Sequence, residues 1–282
     1  MSKNLKIVIL AENRVQKRGL IAEHGLSLYI EYGAKKYLFD TGQGLVLSHN
    51  AKKLDIDLEQ ISAVILSHGH DDHTGGLSKI LELNPEVEVI AHKNAFISKF
   101  KKSDNKLEFR GNKTKLKNIK NFKNVQNQKV VEDGMWVTGE IQTKEKEYIN
   151  NKYIQTGEEG KKVDDFSDDI SLYFETEKGL VILLGCSHKG VINIVEHIRQ
   201  KSTRKKIRAI LGGMHLENKS NEEVEEIINY FAKLNLDLLV PIHCTGRRAA
   251  MMMKDKFTNK VKIASVGDSF TFNKKINFEK QK

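Results

Sequence analysis

Cysteine is scarce in this 282-residue chain, and long apolar runs are missing. The two cysteines, Cys186 and Cys244, are too few for the disulfide framework of small secreted proteins. No apolar stretch approaches the roughly 18 residues that a membrane-spanning helix needs. The N-terminal sequence MSKNLKIVIL enters a strand-like run directly and lacks the apolar region and cleavage site of a signal peptide. We therefore expect a cytoplasmic protein that makes no membrane contact.

The composition and the periodicity indicate a globular α+β protein. Hydrophobic residues make up 39% and charged residues 30% of the chain, the balance of an ordinary water-soluble domain. Short strand-like runs, several of them paired as hairpins, alternate with amphipathic helices in both halves. We predict a single domain over residues 1–282, with sheets that have helices packed outside and a closing strand near residues 262–265.

Residues 95–165 give a weaker pattern. The segment is charged and rich in asparagine, with scattered strand-like pieces such as residues 128–131 and 135–138. Long irregular stretches in enzymes often cover the site. We therefore expect an insertion or lid over the functional site.

The net charge of +10 is concentrated in one stretch of this segment. Between positions 99 and 129 eleven basic residues face two acidic ones, Asp104 and Glu108, so the stretch holds nine of the ten net charges. The basic residues are Lys99, Lys101, Lys102, Lys106, Arg110, Lys113, Lys115, Lys117, Lys120, Lys123 and Lys129. A basic stretch can attract phosphate groups or acidic partners. Because aromatic residues are sparse here, we favour a solvated lysine-rich surface over a nucleic-acid platform.

The segment SHGHDDHTGG, residues 67–76, is the most informative motif. His68 and His70 are two residues apart at an extended chain end, so their side chains project to one side. Asp72 and His73 follow where the chain turns into a helix and can converge on a second point nearby. Four possible ligands within six residues suit one or two borderline ions such as Zn²⁺. The motif predicts a metal centre.

H-x-H-x-D-H after a buried strand resembles the signature of the metallo-β-lactamase superfamily. The family's Asp on an earlier strand end is matched by Asp40 in LFDTG, and its final His by His243 in PIHCTG. We expect Asp40 to orient a histidine ligand rather than to bind metal. The resemblance covers most of the chain, least well over 95–165. It implies an αββα sandwich of two mixed sheets flanked by helices, with the site at one edge between them.

The sequence departs from the family pattern at two points. GCSHKG places Cys186 where the bridging Asp is usual, and residues 164–171 lack the family's third His of the first metal site. We expect His188 to supply that imidazole. Cys186 either binds metal as a thiolate or is a small buried residue at a strand end. The expected ligands are His68, His70 and His188 for one ion, and Asp72, His73 and His243 for the other.

Other histidines and arginines have several possible roles. His215, in GGMHL, is expected at the site rim with a catalytic role, and metal ligation or plain exposure are its alternatives. We expect His24 to pack at a strand start rather than reach the cleft. We expect Arg247 and Arg248 to lie on a helix surface rather than to contact an anionic substrate. The histidines expected to be structural or exposed are His49, His92 and His197.

The motifs also resemble one branch of the superfamily, the dihydropterin-ribofuranosylaminobenzene-phosphate synthase-like proteins. The segments that carry this resemblance are AEHGLS, LFDTGQG, LSHGHDDHTGGL, GCSHKG, GGMHL and PIHCTG. Most members of the branch are described only as metal-dependent hydrolases. The leading interpretation is therefore a hydrolase of a small ester, lactone, thioester or phosphoester, in which Asp72 guides the attacking water or takes its proton.

Two other functions compete with this interpretation. One is a pterin-related transferase, and the other is a nucleic-acid phosphodiesterase or a binding protein without activity. Zn²⁺ is the expected metal, as one or two ions, with Mn, Fe and Ni as alternatives. We expect a small, anionic substrate rather than a nucleic acid. The oligomeric state stays open, with a homodimer among the options.

Overall fold

The computed structural model describes residues 3–103, 106–143, 153–157, 160–273 and 275–280. The strands are β1 (Leu5–Ala11), β2 (Ser27–Tyr32), β3 (Lys35–Phe39), β4 (Ala63–Ile65), β5 (Glu88–Ala91), β6 (Lys99–Ser103), β7 (Lys106–Phe109), β8 (Asn121–Asn124), β9 (Lys129–Glu132), β10 (Met135–Val137), β11 (Tyr153–Gly157), β12 (Gly160–Val163), β13 (Leu172–Thr176), β14 (Gly179–Leu184), β15 (Ile207–Gly212), β16 (Leu238–Pro241), β17 (Ser269–Phe272) and β18 (Ile276–Glu279). The α-helices are α1 (Leu47–Lys53), α2 (Asp71–Thr74), α3 (Leu77–Leu83), α4 (Val191–Lys201), α5 (Asn221–Ala232) and α6 (Arg247–Phe257). Within these ranges no helix has the length and apolar character to cross a bilayer.

The strands form three sheets. The eight-stranded sheet has the order β18-β17-β1-β2-β3-β4-β5-β8, and the six-stranded sheet the order β16-β15-β14-β13-β10-β9. Both are mixed, because β3, β4, β5 and β8 run parallel, as do β14, β15 and β16, while the hairpins are antiparallel. The third sheet, β12-β11-β6-β7, is antiparallel. The prediction of two mixed sheets is confirmed, and the third sheet was not anticipated.

The two large sheets pack face to face with helices outside. Side chains alternate between the faces of a strand, so each strand serves two layers. On β14, Val181 faces the core between the sheets, while its neighbour Ile182 packs against α4, α5 and α6. On β1, Ile7 enters the same central core and Val8 packs against α1 and α3. This is the αββα layering that the resemblance implied.

Helix α5 shows how local sequence signals support a layer. The Ser220 Oγ accepts a hydrogen bond from the Glu223 amide, and the Glu223 carboxylate accepts one from the Ser220 amide, which satisfies two free donors at the helix start. Apolar residues at helical spacing then form one buried face. They are Val224, Ile227, Ile228 and Phe231.

The predicted closing strand at 262–265 is wrong. These residues form a loop, and the chain closes instead with the hairpin of β17 and β18. The Asp268 carboxylate accepts a hydrogen bond from the Ser265 amide at 3.0 Å, which favours a turn over an extended ladder. The apolar residues in this stretch therefore pack without pairing as a strand.

Segment 95–165 is divided among all three sheets. It supplies β8 to the eight-stranded sheet, β9 and β10 to the six-stranded sheet, and the whole four-stranded sheet. The two strands suggested by the sequence are confirmed as β9 and β10. Strands β6 and β7 escaped detection because their sequences, KFKKS and KLEF, are rich in charged residues that are depleted in strands. Positions 104, 105, 144–152, 158 and 159 of this segment lie outside the described residues.

Candidate metal centre

Five strands end at one edge of the two large sheets, and each is followed by a polar side chain of the site. Because β3 and β4 are parallel, and β14, β15 and β16 are parallel, their carboxyl ends share an edge. The residues that follow these strands are Asp40 after β3, Ser67 and His68 after β4, Cys186 after β14, His215 after β15 and His243 after β16. The fold thus collects chemistry-bearing residues from distant parts of the chain.

Four non-glycine residues at these strand ends have a positive φ. They are Asp40 (62°), Ser187 (61°), His215 (53°) and His243 (52°). Residues in this left-handed region cost of order 1–3 kcal/mol each and are concentrated at functional sites. Their clustering at one edge of the sheets is typical of a functional site.

The first donor group consists of His68, His70 and His188. The His68 Nε2 lies 3.0 Å from the His70 Nδ1, and the ring of His188 lies 4.9 and 4.8 Å from the rings of these two residues. All three side chains are buried. Burial lowers the pKa of each, to about 3 for His70. These imidazoles are therefore held neutral, the form that binds metal.

Two nitrogens of this group make no hydrogen bond. The Nε2 atoms of His70 and His188 are shielded from solvent and have no partner among the residues that the structure describes. A buried polar atom without a partner is costly, and native proteins rarely leave one. A metal ion would satisfy both lone pairs.

The second donor group consists of Asp72, His73 and His243. The His73 Nε2 lies 3.1 Å from the His243 Nε2, and the Asp72 Oδ2 lies 3.5 Å from the latter atom. Burial by itself would lower the pKa of His73, but the carboxylates of Asp40 and Asp72 outweigh it and raise that pKa to about 9. Burial would raise the pKa of Asp72, yet His73 and His243 hold it well below its usual range. The group pairs one carboxylate with two imidazoles.

Cys186 lies between the two groups. Its Sγ is 3.1 Å from the His73 Nε2, and the ligand atoms of His68, His73 and Cys186 lie within 4.8 Å of one another. The sulfur is buried, which raises the pKa of the thiol well above its ordinary value in the absence of a cation. The residue occupies the place that the resemblance gives to a bridging acid.

Asp40 and Asn13 fix the orientation of two histidines. The Asp40 Oδ2 lies 2.6 Å from the His73 Nδ1, and it also accepts a hydrogen bond from the Ser67 hydroxyl at 2.7 Å. The Asn13 Oδ1 lies 2.9 Å from the His243 Nδ1. Each contact leaves Nε2 directed to the interior of the site. This is the arrangement by which a second layer of hydrogen bonds sets the tautomer of a metal-binding histidine.

Cys244 also belongs to the site, although no role was predicted for it from the sequence. The ligand atoms of Cys186, His215 and Cys244 form a further group within 4.8 Å of one another. Burial opposes the charging of His215, but the Cys244 sulfur outweighs it and raises the pKa of that imidazole. The signal for Cys244 was its position directly after His243 in PIHCTG.

The donor groups open into a cavity of about 450 Å³. Its lining residues are His24, Gln43, His70, Asp71, Asp72, Lys101, Arg110, Tyr153, Cys186, His188, His215, Glu217, Asn218 and Cys244. His24 was expected to pack at a strand start, but it reaches this cavity, and its Nε2 lies 3.4 Å from the Asp72 Oδ2. Neither Arg247 nor Arg248 lines it. Arg248 donates instead to Asn221 and to the Lys219 carbonyl on the helix surface, as the favoured prediction had it.

The four-stranded sheet brings residues that the sequence did not reveal. The Tyr153 ring stacks on His70 at 4.9 Å. Lys99 is fully buried and donates to Asp164 at 2.6 Å and to Asp168 at 2.9 Å. The prediction that the basic stretch is a solvated surface is therefore wrong for Lys99. Two buried carboxylates stabilise this cation and make its removal from water possible.

The remaining histidines lie outside the donor groups. The His49 Nε2 lies 2.7 Å from the Gly19 carbonyl oxygen, and the His92 Nε2 lies 2.9 Å from a Glu140 oxygen. His197 lies on α4, on the far side of the six-stranded sheet. These placements agree with the structural or exposed role expected for them.

The donors present suit a borderline divalent cation. Imidazole nitrogen, thiolate sulfur and carboxylate oxygen are the three ligand types that Zn²⁺ takes in proteins. The imidazoles of the first donor group and the Asp72 carboxylate are already in the protonation states that ligation requires, whereas His73 must lose a proton to bind an ion. The residues therefore fit a metal centre.

Comparisons with known proteins identify the family of the chain. The family model of the metallo-β-lactamase superfamily matches residues 21–181. The 7,8-dihydropterin-6-methyl-4-(β-D-ribofuranosyl)-aminobenzene-5′-phosphate synthase of Methanocaldococcus jannaschii is 34% identical over 270 residues, covering 90% of this chain and 92% of the relative.

Solved structures show the same fold. A metal-dependent hydrolase of the β-lactamase superfamily superposes with a TM-score of 0.82 at 30% identity, covering 94% of this chain and 98% of the other. The human short-form tRNase Z, at 12% identity and a TM-score of 0.53 over 94% and 98% of the two chains, shares the fold alone. The chain belongs to the metallo-β-lactamase superfamily, in its dihydropterin-ribofuranosylaminobenzene-phosphate synthase-like branch.

Proposed function

We propose that this protein is a metal-dependent hydrolase that splits a small ester, lactone or phosphoester with water. The supporting observation is the convergence of two donor groups, from strand ends far apart in the chain, on one cavity. A cavity of about 450 Å³ has the size typical of a small-molecule site. The substrate is therefore a small molecule.

The proposed ligands for one ion are His68, His70 and His188, and for the other Asp72, His73 and His243. Cys186 completes the set from between them, as a thiolate. Zn²⁺ matches these donors best, with Mn, Fe and Ni as alternatives. A bound ion of this kind acts as a Lewis acid and lowers the pKa of a coordinated water to about 7.

Asp72 orients the attacking water in this proposal. Its pKa is held low by the neighbouring imidazoles, so the carboxylate stays ionised and accepts a hydrogen bond at any physiological pH. The Asp72 Oδ2 faces the cavity, 3.4 Å from the His24 Nε2. A water that donates a hydrogen bond to this oxygen would be held in one orientation toward the substrate. Holding a reactant in the productive orientation raises the reaction rate.

His215 protonates the leaving group in this proposal. Its raised pKa favours the imidazolium form, and the residue lines the cavity beside His188 at a ring distance of 4.4 Å. The water oxygen stays with the acid product, and the proton from His215 goes to the departing oxygen. This division of roles between an acid and an orienting carboxylate is common in hydrolases.

Metal loading and a substrate panel test the proposal. The purified protein, loaded with Zn²⁺, is assayed with 4-nitrophenyl acetate and bis(4-nitrophenyl) phosphate. We expect turnover that is lost on chelation and restored by Zn²⁺. The Asp72→Ala and His73→Ala variants should lose both metal and turnover, while Asp133→Ala, at an exposed position, should change neither. Unchanged turnover after exhaustive chelation would contradict the proposal.

A pterin-related transferase is the second candidate. The 34% identity to the archaeal synthase over nine-tenths of the chain favours it. The test uses a reduced pterin activated at its 6-methyl carbon together with a 4-(β-D-ribofuranosyl)aminobenzene 5′-phosphate. Mass spectrometry of the joined product, in the absence of ester hydrolysis, would select this function over the hydrolase.

A nucleic-acid substrate is not part of the proposal. Six of the eleven basic residues of 99–129 lie on strands of three different sheets, the other five lie between β7 and β8, and Lys99 is buried. We therefore propose no groove for a phosphate backbone. Oligonucleotide binding that weakens steeply with salt would overturn this view.

A further inference from the structure

The inner face of the four-stranded sheet presents one row of polar side chains. On β6, Lys101 is paired with Tyr153 of β11 on one side and with Glu108 of β7 on the other. Directly paired residues project to the same face of a sheet, and neighbours along a strand project to opposite faces. Lys101 and Tyr153 both line the cavity, so this face is the one turned toward the metal centre. Lys102 projects from the other face.

Two cations of this face line the cavity. Lys101 is partly buried and makes no ion pair with any residue in the described part of the chain. Arg110, just beyond β7, donates to the Glu108 carboxylate at 2.8 Å. The Arg110 carbonyl accepts a hydrogen bond from the Asp71 amide at 2.9 Å, which fixes this corner of the sheet beside the metal-binding loop. On this face, therefore, Lys101 has no ion-pair partner among the described residues, whereas the Arg110 guanidinium is already paired with Glu108.

The acidic lining belongs to other elements. Asp71 and Asp72 lie on α2, the latter within a donor group, and Glu217 follows β15. Among the described residues of this row, Glu108 is the acidic side chain beside Lys101 and Arg110, so these three residues together carry a net positive charge. A cation left unpaired at the wall of a cavity is the arrangement by which enzymes hold an anionic part of a substrate away from the reacting centre.

We propose that Lys101 and Arg110 form a subsite for the phosphate monoester of the substrate. A dianion matches two neighbouring cations, and a guanidinium with an ammonium is a common pair for phosphate. Tyr153 separates the subsite from the imidazole cluster, because its ring covers His70. The subsite would hold a phosphate that is carried through the reaction unchanged. This inference rests on the proposed function in one respect, because the hydrolase assignment says which bond of the substrate reacts. The binding of phosphate by the subsite does not depend on that assignment.

Binding of ribose 5-phosphate to the zinc-loaded full-length protein tests the subsite. Calorimetry should show that Lys101→Met weakens binding about tenfold, the loss expected for one charge-assisted hydrogen bond. Lys102→Met, the next residue on the same strand, is the matched control and should bind as the wild type does. Zinc content is measured for each variant and should equal that of the wild type, because neither Lys101 nor Arg110 is a proposed ligand.

Glu108→Gln should change the affinity for ribose 5-phosphate in the opposite direction. It releases Arg110 from its carboxylate partner, so ribose 5-phosphate should bind several-fold more tightly, whereas Arg110→Gln should weaken binding. A merely destabilising substitution would not strengthen affinity. This variant therefore keeps the test decisive even if Lys101→Met folds poorly.

Several outcomes would overturn the subsite. They are equal affinity of the wild type and Lys101→Met for ribose 5-phosphate, equal affinity of the wild type for ribose 5-phosphate and ribose, and no saturable binding of ribose 5-phosphate. The hydrolase proposal fails separately. If the wild type hydrolyses no ester yet its phosphate affinity depends on Lys101, the subsite stands and the hydrolase assignment falls.

Discussion

Lys99 and Asp168 form a fully buried ion pair, with the Lys99 Nζ 2.9 Å from the Asp168 Oδ1. The second oxygen of Asp168 accepts a hydrogen bond from the Gly69 amide at 2.7 Å, inside the metal-binding loop. The pair thereby joins the four-stranded sheet to the segment that carries His68 and His70. Asp164 completes the pairing of the lysine at 2.6 Å.

Replacing Lys99 with Met should strongly destabilise the protein. The substitution leaves two carboxylates buried without a cation, which costs about 3–5 kcal/mol when one partner of a buried pair is removed. Urea unfolding followed by circular dichroism measures the loss. Lys102→Met, at an exposed position three residues along the same strand, should change the free energy of unfolding by less than about 0.5 kcal/mol. A loss for Lys99→Met as small as that of the control would show that the pair carries no net stability.

Replacing Asp40 with Asn should weaken metal binding without removing any proposed ligand. The Asp40 Oδ2 accepts from the His73 Nδ1 at 2.6 Å, and an amide nitrogen at that position would not. Loss of such an orienting partner typically reduces metal affinity about 10- to 100-fold. Competition with a chromophoric chelator measures the affinity. Asp255→Asn, on the exposed surface of α6, is the control and should bind as the wild type does.

Replacing His188 with Ala should lower the metal stoichiometry. His188 supplies the third imidazole of the first donor group, and two nitrogens do not hold a Zn²⁺ ion tightly. Elemental analysis of the purified variant should show about one ion fewer per chain. His197→Ala, a partly buried histidine on α4, should keep the full content. Full content in His188→Ala would refute this assignment and leave Cys186 as the better candidate.

The sequence predicted the buried strands and the His68–His73 donor motif for different physical reasons, whereas the sandwich was implied by the family resemblance. Buried strands such as β14 are continuous apolar runs, and the tight spacing of His68 to His73 leaves few uses other than metal binding. Both signals are local, so one chain is enough to find them. The convergence of His188 and His243 on that motif depends on strand order, which the family resemblance supplied rather than periodicity.

The four-stranded sheet and its side chains could not be predicted in the same way. Its strands have lysine at positions that face either solvent or the cavity, so hydrophobic alternation is lost. Lys99, Lys101 and Lys102 look equivalent in the sequence, yet one is buried, one lines the cavity and one is exposed. Only tertiary contacts separate them, because the acidic partners of Lys99 lie more than sixty residues away.

Metal binding should release a proton from His73 over a defined pH range. Without an ion, the carboxylates of Asp40 and Asp72 overcome the effect of burial and raise the pKa of His73 to about 9, so the ring is protonated at pH 7. A histidine must be neutral to bind a metal ion, and the incoming ion therefore displaces the proton of His73. His70, with a pKa of about 3, is already neutral and releases none.

The number of protons released per chain should therefore fall by about one between pH 7 and pH 10. Calorimetric titration with Zn²⁺ in two buffers of different ionisation enthalpy gives this number at each pH. Asp40→Asn removes the carboxylate that raises the pKa of His73 most, so in this variant the number of released protons should fall at lower pH. A proton count that stays constant from pH 7 to pH 10 would mean that His73 is neutral before the ion binds, and the proposed charge balance of the second donor group would then be wrong.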